Sequence, residues 1–258
     1  MSKLKRLFWD IETSQNVFTG FAAGWRKTIN PGDIIHERAI ICICYKWEGE
    51  KKVHSLEWTP NKGSWGGNDQ PMLVEFAKVV EEADEIVAHN GDKFDMKWFN
   101  TRHLFHKLPT IPESKTIDTL VIARRRFYFN SNRLDYIAKY LGFDGKSKTD
   151  ISMWTDILFN HCPKQMSSMV KYCKKDVQLL ERVYERIAPY HKPKSHAGVL
   201  LGKDKWSCPS CGSEDVNKSK TKTTAAGTTQ HQMRCKKCGK YHSINDAQFR
   251  LYQEAKQA

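Results

Sequence analysis

Two acidic residues near the start of the chain, Asp10 and Glu12, could together hold a divalent metal ion. Residues two apart on a β-strand point to the same face, so both carboxylates would project together while Ile11 points away. Paired carboxylates attract hard cations such as Mg²⁺ or Mn²⁺. Taken alone, such a pair is more often a solvated strand edge, so the interpretation depends on the rest of the chain.

Two further segments supply the same chemistry. Asp95 falls in the first turn of a predicted helix after the break Asn90-Gly91, where the alternative is a carboxylate that only favours the helix dipole. Tyr172 and Asp176 are four apart on a predicted helix and share one face, where the alternative is a simple surface pair. All three acidic segments together predict hydrolysis of a phosphodiester by metal-activated water.

The three segments resemble the exonuclease motifs of the DEDD superfamily. The resemblance lies in Asp10-Ile-Glu12-Thr13, Asn90-Gly-x-x-Phe94-Asp95 and Tyr172-Cys-x-x-Asp176. The tyrosine four residues before the last aspartate resembles the one that marks the DEDDy branch. The residues of the second and third motifs are most similar to those in the proofreading domain of family B DNA polymerases. The stretch over residues 132–142 also resembles a helix found between the second and third motifs. The resemblance covers about residues 5–190.

The resemblance implies a ribonuclease H-like fold and a role for each motif residue. Asp10 would bridge two Mg²⁺ or Mn²⁺ ions, Glu12 and Asp176 would hold the ion of the nucleophile, and Asp95 would hold the second through water. Tyr172 would orient the attacking water. The motifs also imply substrate contacts, which fall on Thr13, Asn90 and Phe94. The products would be nucleoside 5′-monophosphates released from the 3′ end.

Four cysteines near the C-terminus predict a separate metal site. They form two matching pairs, Cys208-Pro-Ser-Cys211-Gly212 and Cys235-Lys-Lys-Cys238-Gly239. Two intervening residues let a tight turn aim both thiolates at one ion, and the following glycine permits left-handed backbone geometry. Four thiolates make a closed, structural Zn²⁺ site, and the pattern resembles a zinc ribbon. Disulfides are the alternative, but the expected intracellular location argues against them.

The elements that must position these residues alternate in type. The predicted strands cover residues 5–13, 36–47, 52–58 and 85–89. The predicted helices cover residues 73–83, 92–106, 116–126, 133–141, 151–159, 164–188 and 246–258, with Asp92 as the N-cap of the second. This order predicts an α/β fold, a ribonuclease H-like mixed sheet flanked by helices, plus a small zinc-ribbon domain. We place the nuclease domain at residues 1–194 and the ribbon at 195–258.

The charge of the chain favours an acidic partner. Its 258 residues carry a formal net charge of +13, and nucleic acid is the first candidate for such a protein. Residues 195–258 contribute 11 Lys and Arg against 5 Asp and Glu, and the segment around Lys218, Lys220 and Lys222 is suited to phosphates. The alternative to nucleic-acid binding is that the ribbon only caps the fold and that its basic loop is solvated. No apolar stretch approaches the roughly 20 residues of a membrane span, so we expect an intracellular, cytoplasmic protein without a membrane partner.

Aromatic and basic residues elsewhere add candidate substrate contacts. Phe18, Phe21 and Trp25 could stack on splayed bases, although core packing is the alternative for them. The run of arginines at residues 124–126 either lines a groove for the phosphate backbone or is an exposed helix end.

Four functions are compatible with the sequence. The leading one is a metal-dependent 3′→5′ exonuclease acting on DNA, proofreading or trimming ends for a separate polymerase. The second is a nuclease that trims RNA 3′ ends, because the same site serves both sugars. The third is a non-catalytic module in which the zinc ribbon binds nucleic acid, against which the complete set of acidic residues argues. The fourth is a structure-specific endonuclease. A cleft closed at one end would exclude it, and the sequence does not show the shape of the cleft.

Overall fold

A computed structural model of the chain describes residues 4–20, 29–145 and 150–257. The chain divides into two compact units. The larger unit comprises Lys5–Val121 and Phe129–Val183, and the smaller one contains Ile122–Tyr128 and the chain from Tyr184 onward. The division therefore falls inside two helices, near residues 121 and 183. The predicted boundary at residue 194 stays a prediction.

A five-stranded sheet forms the centre of the larger unit. Its order is β5-β4-β1-β8-β9, with β1 antiparallel to β4 and parallel to β8, which is in turn parallel to β9. The strands of this unit are β1 (Arg6–Thr13), β2 (Val17–Phe18), β3 (Ile34–His36), β4 (Ile40–Trp47), β5 (His54–Glu57), β6 (Thr59–Pro60), β7 (Gly67–Asn68), β8 (Glu85–Ala88) and β9 (Lys115–Asp118). The mixed sheet flanked by helices is the architecture that the sequence predicted.

Helices cover this sheet and carry two of the acidic segments. They are α1 (Gln70–Glu81), α2 (Asp95–Phe105), α3 (Thr119–Arg126), α4 (Leu134–Tyr140), α5 (Ile151–Asn160) and α6 (Pro163–Ile187). Trp9 of β1 stacks on Phe76 of α1 with ring centroids 5.0 Å apart, and Phe99 of α2 meets the edge of Phe76 at 5.3 Å. All three rings are almost fully buried. This aromatic cluster fixes β1 against the helices on one face.

The central strands are apolar because they are covered on both faces. Ile40–Tyr45 is an unbroken buried run, which is typical of a strand in the middle of a sheet. Buried charges near the sheet are paired, Arg6 with Glu85 and Lys46 with Glu181. Pairing is what allows charged groups to lie in the interior.

A three-stranded antiparallel sheet and two helices make up most of the smaller unit. The elements are α7 (Ala197–Leu200), β10 (Val216–Thr223), β11 (Thr229–Cys235), β12 (Tyr241–Asn245) and α8 (Asp246–Gln257), with sheet order β10-β11-β12. Its core is small, and two of its members are cysteines. The buried residues of this core are Trp206, Cys208, Val216, Met233, Cys235 and Ile244. A core this small buries little apolar surface, and domains of this size usually need a metal or disulfides to be stable.

Two local predictions were wrong. The helix expected over residues 116–126 is a strand, β9, followed by α3, because Thr116 and Ile117 extend the sheet beside β8. Asp92 does not cap the next helix: α2 begins at Asp95 with Phe94 at its N-cap, because residues 90–93 form a turn of their own. Of the aromatic residues proposed to stack, Phe18 is half exposed, while Phe21 and Trp25 lie outside the described residues. The final residue of the last predicted helix, Ala258, is also outside them.

Candidate active site

Three of the predicted carboxylates meet at one end of β1. Oxygen atoms of Asp10, Glu12 and Asp176 all lie within 4.8 Å of one another. Asp10 and Glu12 are half-buried on the strand, and Asp176 of α6 is almost fully buried. Anions this close repel one another unless a cation lies between them, so the group has the composition of a site for a hard divalent metal.

A β-bulge ends the regular strand next to these residues. Glu12 pairs with Cys42 of β4, but Thr13 pairs with Ile40, so β4 has one extra residue at this point. Bulges turn side chains away from the regular pleat and are common beside active sites. Thr13, a predicted substrate contact, is the last residue of β1 and is half-buried at this irregularity.

The fourth carboxylate, Asp95, is the first residue of α2 and lies against the same strand. Its Oδ1 atom accepts a hydrogen bond from the backbone N–H of Ile11 at 3.2 Å. Ile11 is the residue between Asp10 and Glu12, and Asp95 is only 2% exposed. The structure therefore brings all four predicted carboxylates to one short stretch of β1.

A tight turn before α2 sets the position of Asp95. The Asn90 carbonyl accepts hydrogen bonds from the N–H groups of Lys93 and Phe94, and the Gly91 carbonyl accepts one from Met96. Asn90 has a left-handed backbone, with φ of 68°, which asparagine tolerates better than most residues. Asn90 and Phe94, the other predicted substrate contacts, are both half-buried in this turn.

Asp118 is a positioning residue that the sequence analysis missed. Its Oδ1 atom accepts the Asn90 N–H at 2.9 Å and the Leu120 N–H at 2.9 Å, so it joins the turn to the start of α3. Its Oδ2 atom is buried without a hydrogen-bond partner in the described part of the chain. An aspartate at the end of a strand and just before a helix is a capping signal, but the segment was predicted as helix throughout.

Tyr172 lies on α6 one turn before Asp176 and is half-buried. Residues four apart on a helix share one face, so its ring lies on the side of α6 that carries Asp176. The residue between them in the motif, Cys173, is fully buried, and its sulfur contacts the backbone oxygen of Asp10 at 3.4 Å. This contact fixes the register of α6 against β1.

Three thiols lie beside the carboxylates. Cys42 and Cys44 are the cross-strand partners of Glu12 and Asp10, and their sulfur atoms lie within 4.8 Å of that of Cys173. Burial raises the pKa of Cys173, so this thiol stays protonated and can donate toward Asp10.

The four C-terminal cysteines also converge. Sulfur atoms of Cys208 and Cys238 are 3.6 Å apart and those of Cys211 and Cys235 are 3.7 Å apart, and all four lie within 4.8 Å of one another. A tetrahedron of thiolates about 2.3 Å from zinc has edges of about 3.8 Å, so the cluster is compatible with a zinc ribbon. Hydrogen bonds from Cys211 and Cys238 lower the pKa of Cys208 to about 4.

Two histidines with loose metal-like spacing, His103 and His106, have structural partners. His106 and Arg102 both bond the fully buried carboxylate of Asp69, at 2.6 and 2.7 Å. Burial alone would raise the pKa of Asp69, but the hydrogen bonds from Arg102 and His106 outweigh it and hold that pKa below its usual range. His103 contacts the carbonyl of Pro109. These residues hold α2 in place and form no metal cluster among the described residues.

Comparison with known proteins identifies the family. Residues 38–188 match the RNase_H superfamily, which is more than half of the chain, so the chain belongs to that superfamily. Among solved structures it is similar to the family B DNA polymerase from the hyperthermophilic archaeon Pyrobaculum calidifontis, with a TM-score of 0.53 and 18% sequence identity. That match covers 73% of this chain but only 25% of the polymerase chain. A search of curated proteins finds no match.

The superfamily and the acidic group together support a nuclease function, since RNase H-like nucleases use divalent metals bound by carboxylates. The ribonuclease H-like fold that the motifs implied is confirmed. Within the described residues, no helix is both long and apolar enough to cross a membrane.

Proposed function

We propose that the protein is a metal-dependent 3′→5′ exonuclease that hydrolyses DNA to nucleoside 5′-monophosphates. The observation that carries the proposal is the convergence of Asp10, Glu12 and Asp176 within 4.8 Å, with Asp95 bonded to the strand between them. An RNase H-like fold with four carboxylates on and around its first strand suits phosphodiester hydrolysis.

The donor set fits two hard divalent cations. Every side-chain ligand in the group is a carboxylate oxygen, which Mg²⁺ and Mn²⁺ prefer over nitrogen or sulfur. Asp10, Glu12 and Asp176 would hold one ion, and Asp10 with Asp95 would hold the other. Bound ions would supply an activated water as nucleophile and stabilise the charge on the departing 3′ oxygen.

The remaining motif residues would orient the reactants. The phenol hydroxyl of Tyr172 would hold the attacking water through a hydrogen bond from the face of α6 that carries Asp176. Asn90, Phe94 and Thr13 lie half-buried beside the carboxylates and would contact the terminal nucleotide. The buried thiols of Cys42, Cys44 and Cys173 lie beside the carboxylates and would exclude water from this part of the site.

We also propose that Cys208, Cys211, Cys235 and Cys238 bind one structural Zn²⁺. The sulfur separations of 3.6 and 3.7 Å support this, as does the left-handed backbone of Gly212 and Gly239, with φ of 67° and 75°. His231 bonds Asp246 and His242 bonds the Trp206 carbonyl, so both histidines have other partners. The ribbon would bind nucleic acid or a replication protein such as a separate polymerase, while the enzyme would work inside the cell.

The test is a time course on 5′-labelled single-stranded DNA with Mg²⁺ or Mn²⁺, resolved to single nucleotides. We expect a ladder that shortens from the 3′ end, and a loss of at least about 10²-fold in rate for Asp10→Ala. Glu113→Gln is the matched control, because Glu113 is exposed and lies away from the motifs. Full activity of Asp10→Ala would remove the site assignment, and internal cuts would indicate an endonuclease.

The same assay on RNA of matched sequence decides the sugar. Faster shortening of RNA than of DNA would replace the proposal with the alternative, an RNA 3′-end exonuclease. No cleavage of either substrate by protein with full zinc content would favour the non-catalytic binding module.

A further inference from the structure

A basic groove in the smaller unit has no role in the chemistry described above. It encloses about 690 Å³, and its lining includes Arg126, Lys192, Lys194 and Lys205, with Tyr190 and Tyr241 beside them. All of these residues belong to the smaller unit. Among the described residues that line it, none is an aspartate or glutamate.

The groove cations have no acidic partner among the described residues, unlike two other lysines of the same unit. Lys203 pairs with Glu214 at 3.1 Å and Lys236 pairs with Asp215 at 3.5 Å. In the described parts of the chain, no carboxylate lies within ion-pair distance of the four groove cations. Like charges so gathered repel one another, so the groove gains from an anion that neutralises them.

Lys240 builds the wall of the groove and adds to its charge. Its ammonium group donates to the carbonyl oxygens of Pro189 and His191, and only 8% of the residue is exposed. The bonds to the two carbonyls attach the segment carrying Tyr190 and Lys192 to the ribbon. Buried hydrogen bonds therefore hold this wall of the groove in place.

The two tyrosines present ring surface at the groove. Tyr190 is 58% exposed and is supported edge-on by Phe127 at 5.0 Å. Tyr241 is 48% exposed, with the Arg234 guanidinium 5.6 Å from its ring centroid. Aromatic rings alternating with unpaired cations are the composition with which proteins bind single strands, because bases stack on the rings while cations contact phosphates.

We propose that this groove binds a stretch of single-stranded nucleic acid through its phosphates, with bases stacked on Tyr190 and Tyr241. It is a binding site additional to the carboxylate centre, and it rests on the proposed function only for the choice of nucleic acid as the occupant. It also differs from the ribbon segment around Lys218, Lys220 and Lys222 that the sequence favoured. Lys218 is already engaged, with its ammonium 4.9 Å from the ring centroid of Phe249.

The test compares two triple variants of equal charge change in the full chain. The groove variant carries Lys192→Gln, Lys194→Gln and Lys205→Gln, and the control carries Lys220→Gln, Lys222→Gln and Lys237→Gln, all at exposed positions. Both are made on Asp10→Asn, so that a fluorescent 20-nucleotide oligo-dT is not degraded. Fluorescence anisotropy then gives Kd from 0.05 to 0.5 M salt.

The expected effect follows from counterion release. Each lost phosphate contact lowers the salt slope by about 0.7 for single strands, so three contacts lower it by about 2. Over the tenfold salt range of the assay, the affinity of the groove variant should therefore rise about 100-fold less than that of the parent as salt is lowered, with the control unchanged. Replacing both tyrosines by leucine should weaken binding about tenfold without changing the slope. Equal slopes for the two triple variants, or a larger loss in the control, would overturn the proposal.

Two further readouts separate this proposal from others. Hydrolysis of the p-nitrophenyl ester of thymidine 5′-monophosphate should be the same in the groove variant with Asp10 restored and in the wild type, because this substrate is too short to use the groove. Failure of the wild type on this ester would count against the nuclease while leaving the binding result intact. Displacement of oligo-dT by poly-glutamate as readily as by unlabelled oligo-dT would instead indicate an acidic polypeptide and refute the proposal. Oligo-dT and oligo-U compared directly show which sugar is preferred.

Discussion

Replacing Gly91 by alanine should damage catalysis as well as stability. A Cβ atom at Gly91 would lie 2.3 Å from the Cβ of Ala88 and 3.8 Å from Oδ2 of Asp95. The first distance is about 1 Å short of ordinary contact, so the turn must move by about that much. Asp95 is four residues after Gly91, and the Gly91 carbonyl accepts a hydrogen bond from the N–H of Met96, the next residue. A shift of the turn therefore also moves the Asp95 carboxylate.

The magnitude follows from this displacement. A misplacement of about 1 Å at a catalytic group costs about 10² in rate, whereas overpacking a buried position costs about 1–3 kcal/mol of stability. The assay is kcat on single-stranded DNA at saturating metal, alongside thermal unfolding. Gly32→Ala is the matched control, because a Cβ there meets nothing within 4 Å.

A second substitution tests whether the clash with Ala88 causes the loss of rate. Ala88→Gly removes the atom that the new Cβ would strike, so the double variant Ala88→Gly with Gly91→Ala should recover most of the lost rate. Glycine within β8 itself costs about 0.5–1 kcal/mol, so stability need not recover. Wild-type activity in Gly91→Ala, or a double variant as slow as the single one, would show that the turn does not set the position of Asp95.

Two further predictions concern stability. Because the pKa of Asp69 is lowered in the folded protein, its contribution is fully present above the unfolded value of about 3.9 and is lost as pH falls through the folded value. Asp69→Asn should therefore cost about 3 kcal/mol at pH 7, measured by urea unfolding, and flatten the loss of stability below about pH 4; an unchanged acid limb would contradict this. Zinc removal by a chelator should release one Zn²⁺ per chain and unfold β10–β12, measured as lost protection of their amides from hydrogen exchange. Cys235→Ser should have the same effect, and Cys162→Ser is the control that should not. Retained protection would show that the ribbon does not need metal.

The acidic residues could be predicted because short-range geometry fixes them. Strand parity sets Asp10 and Glu12 on one face, and helix periodicity sets Tyr172 with Asp176, so each pair is a local property of the sequence. The meeting of the pairs is a property of the fold, and the resemblance supplied it. The structure confirms the ribonuclease H-like fold and brings the carboxylates together.

Asp118 could not be found in the same way, because its role depends on strand pairing. Thr116 and Ile117 suit a helix or a strand equally well, and only their pairing with β8 decides between them. Once β9 forms, Asp118 lies opposite Ala88 and within reach of the Asn90 N–H. Its capping function is therefore visible only after the long-range register is known.

The basic groove shows the opposite limit of sequence reasoning. Its cations come from residue 126, residues 192–194, residue 205 and residue 240, and none of these segments carries a pattern that marks it as a binding site. Arg126 was one of three adjacent arginines with two open interpretations, and the groove now favours phosphate contact for that one residue. What distinguishes these cations is that they converge on one groove with no acidic residue among its described lining, and such convergence is a tertiary property.

The two charged regions of the protein impose opposite demands on its substrate. The carboxylates of Asp10, Glu12 and Asp176 repel a phosphate until cations neutralise them, so affinity at that centre depends on metal loading. The groove in the smaller unit is positive without a bound Mg²⁺, so the proposed binding there would depend on salt and would need no metal at the carboxylates. Under the two proposals, the groove would retain nucleic acid while metal ions exchange at the carboxylates, because its binding does not require those ions.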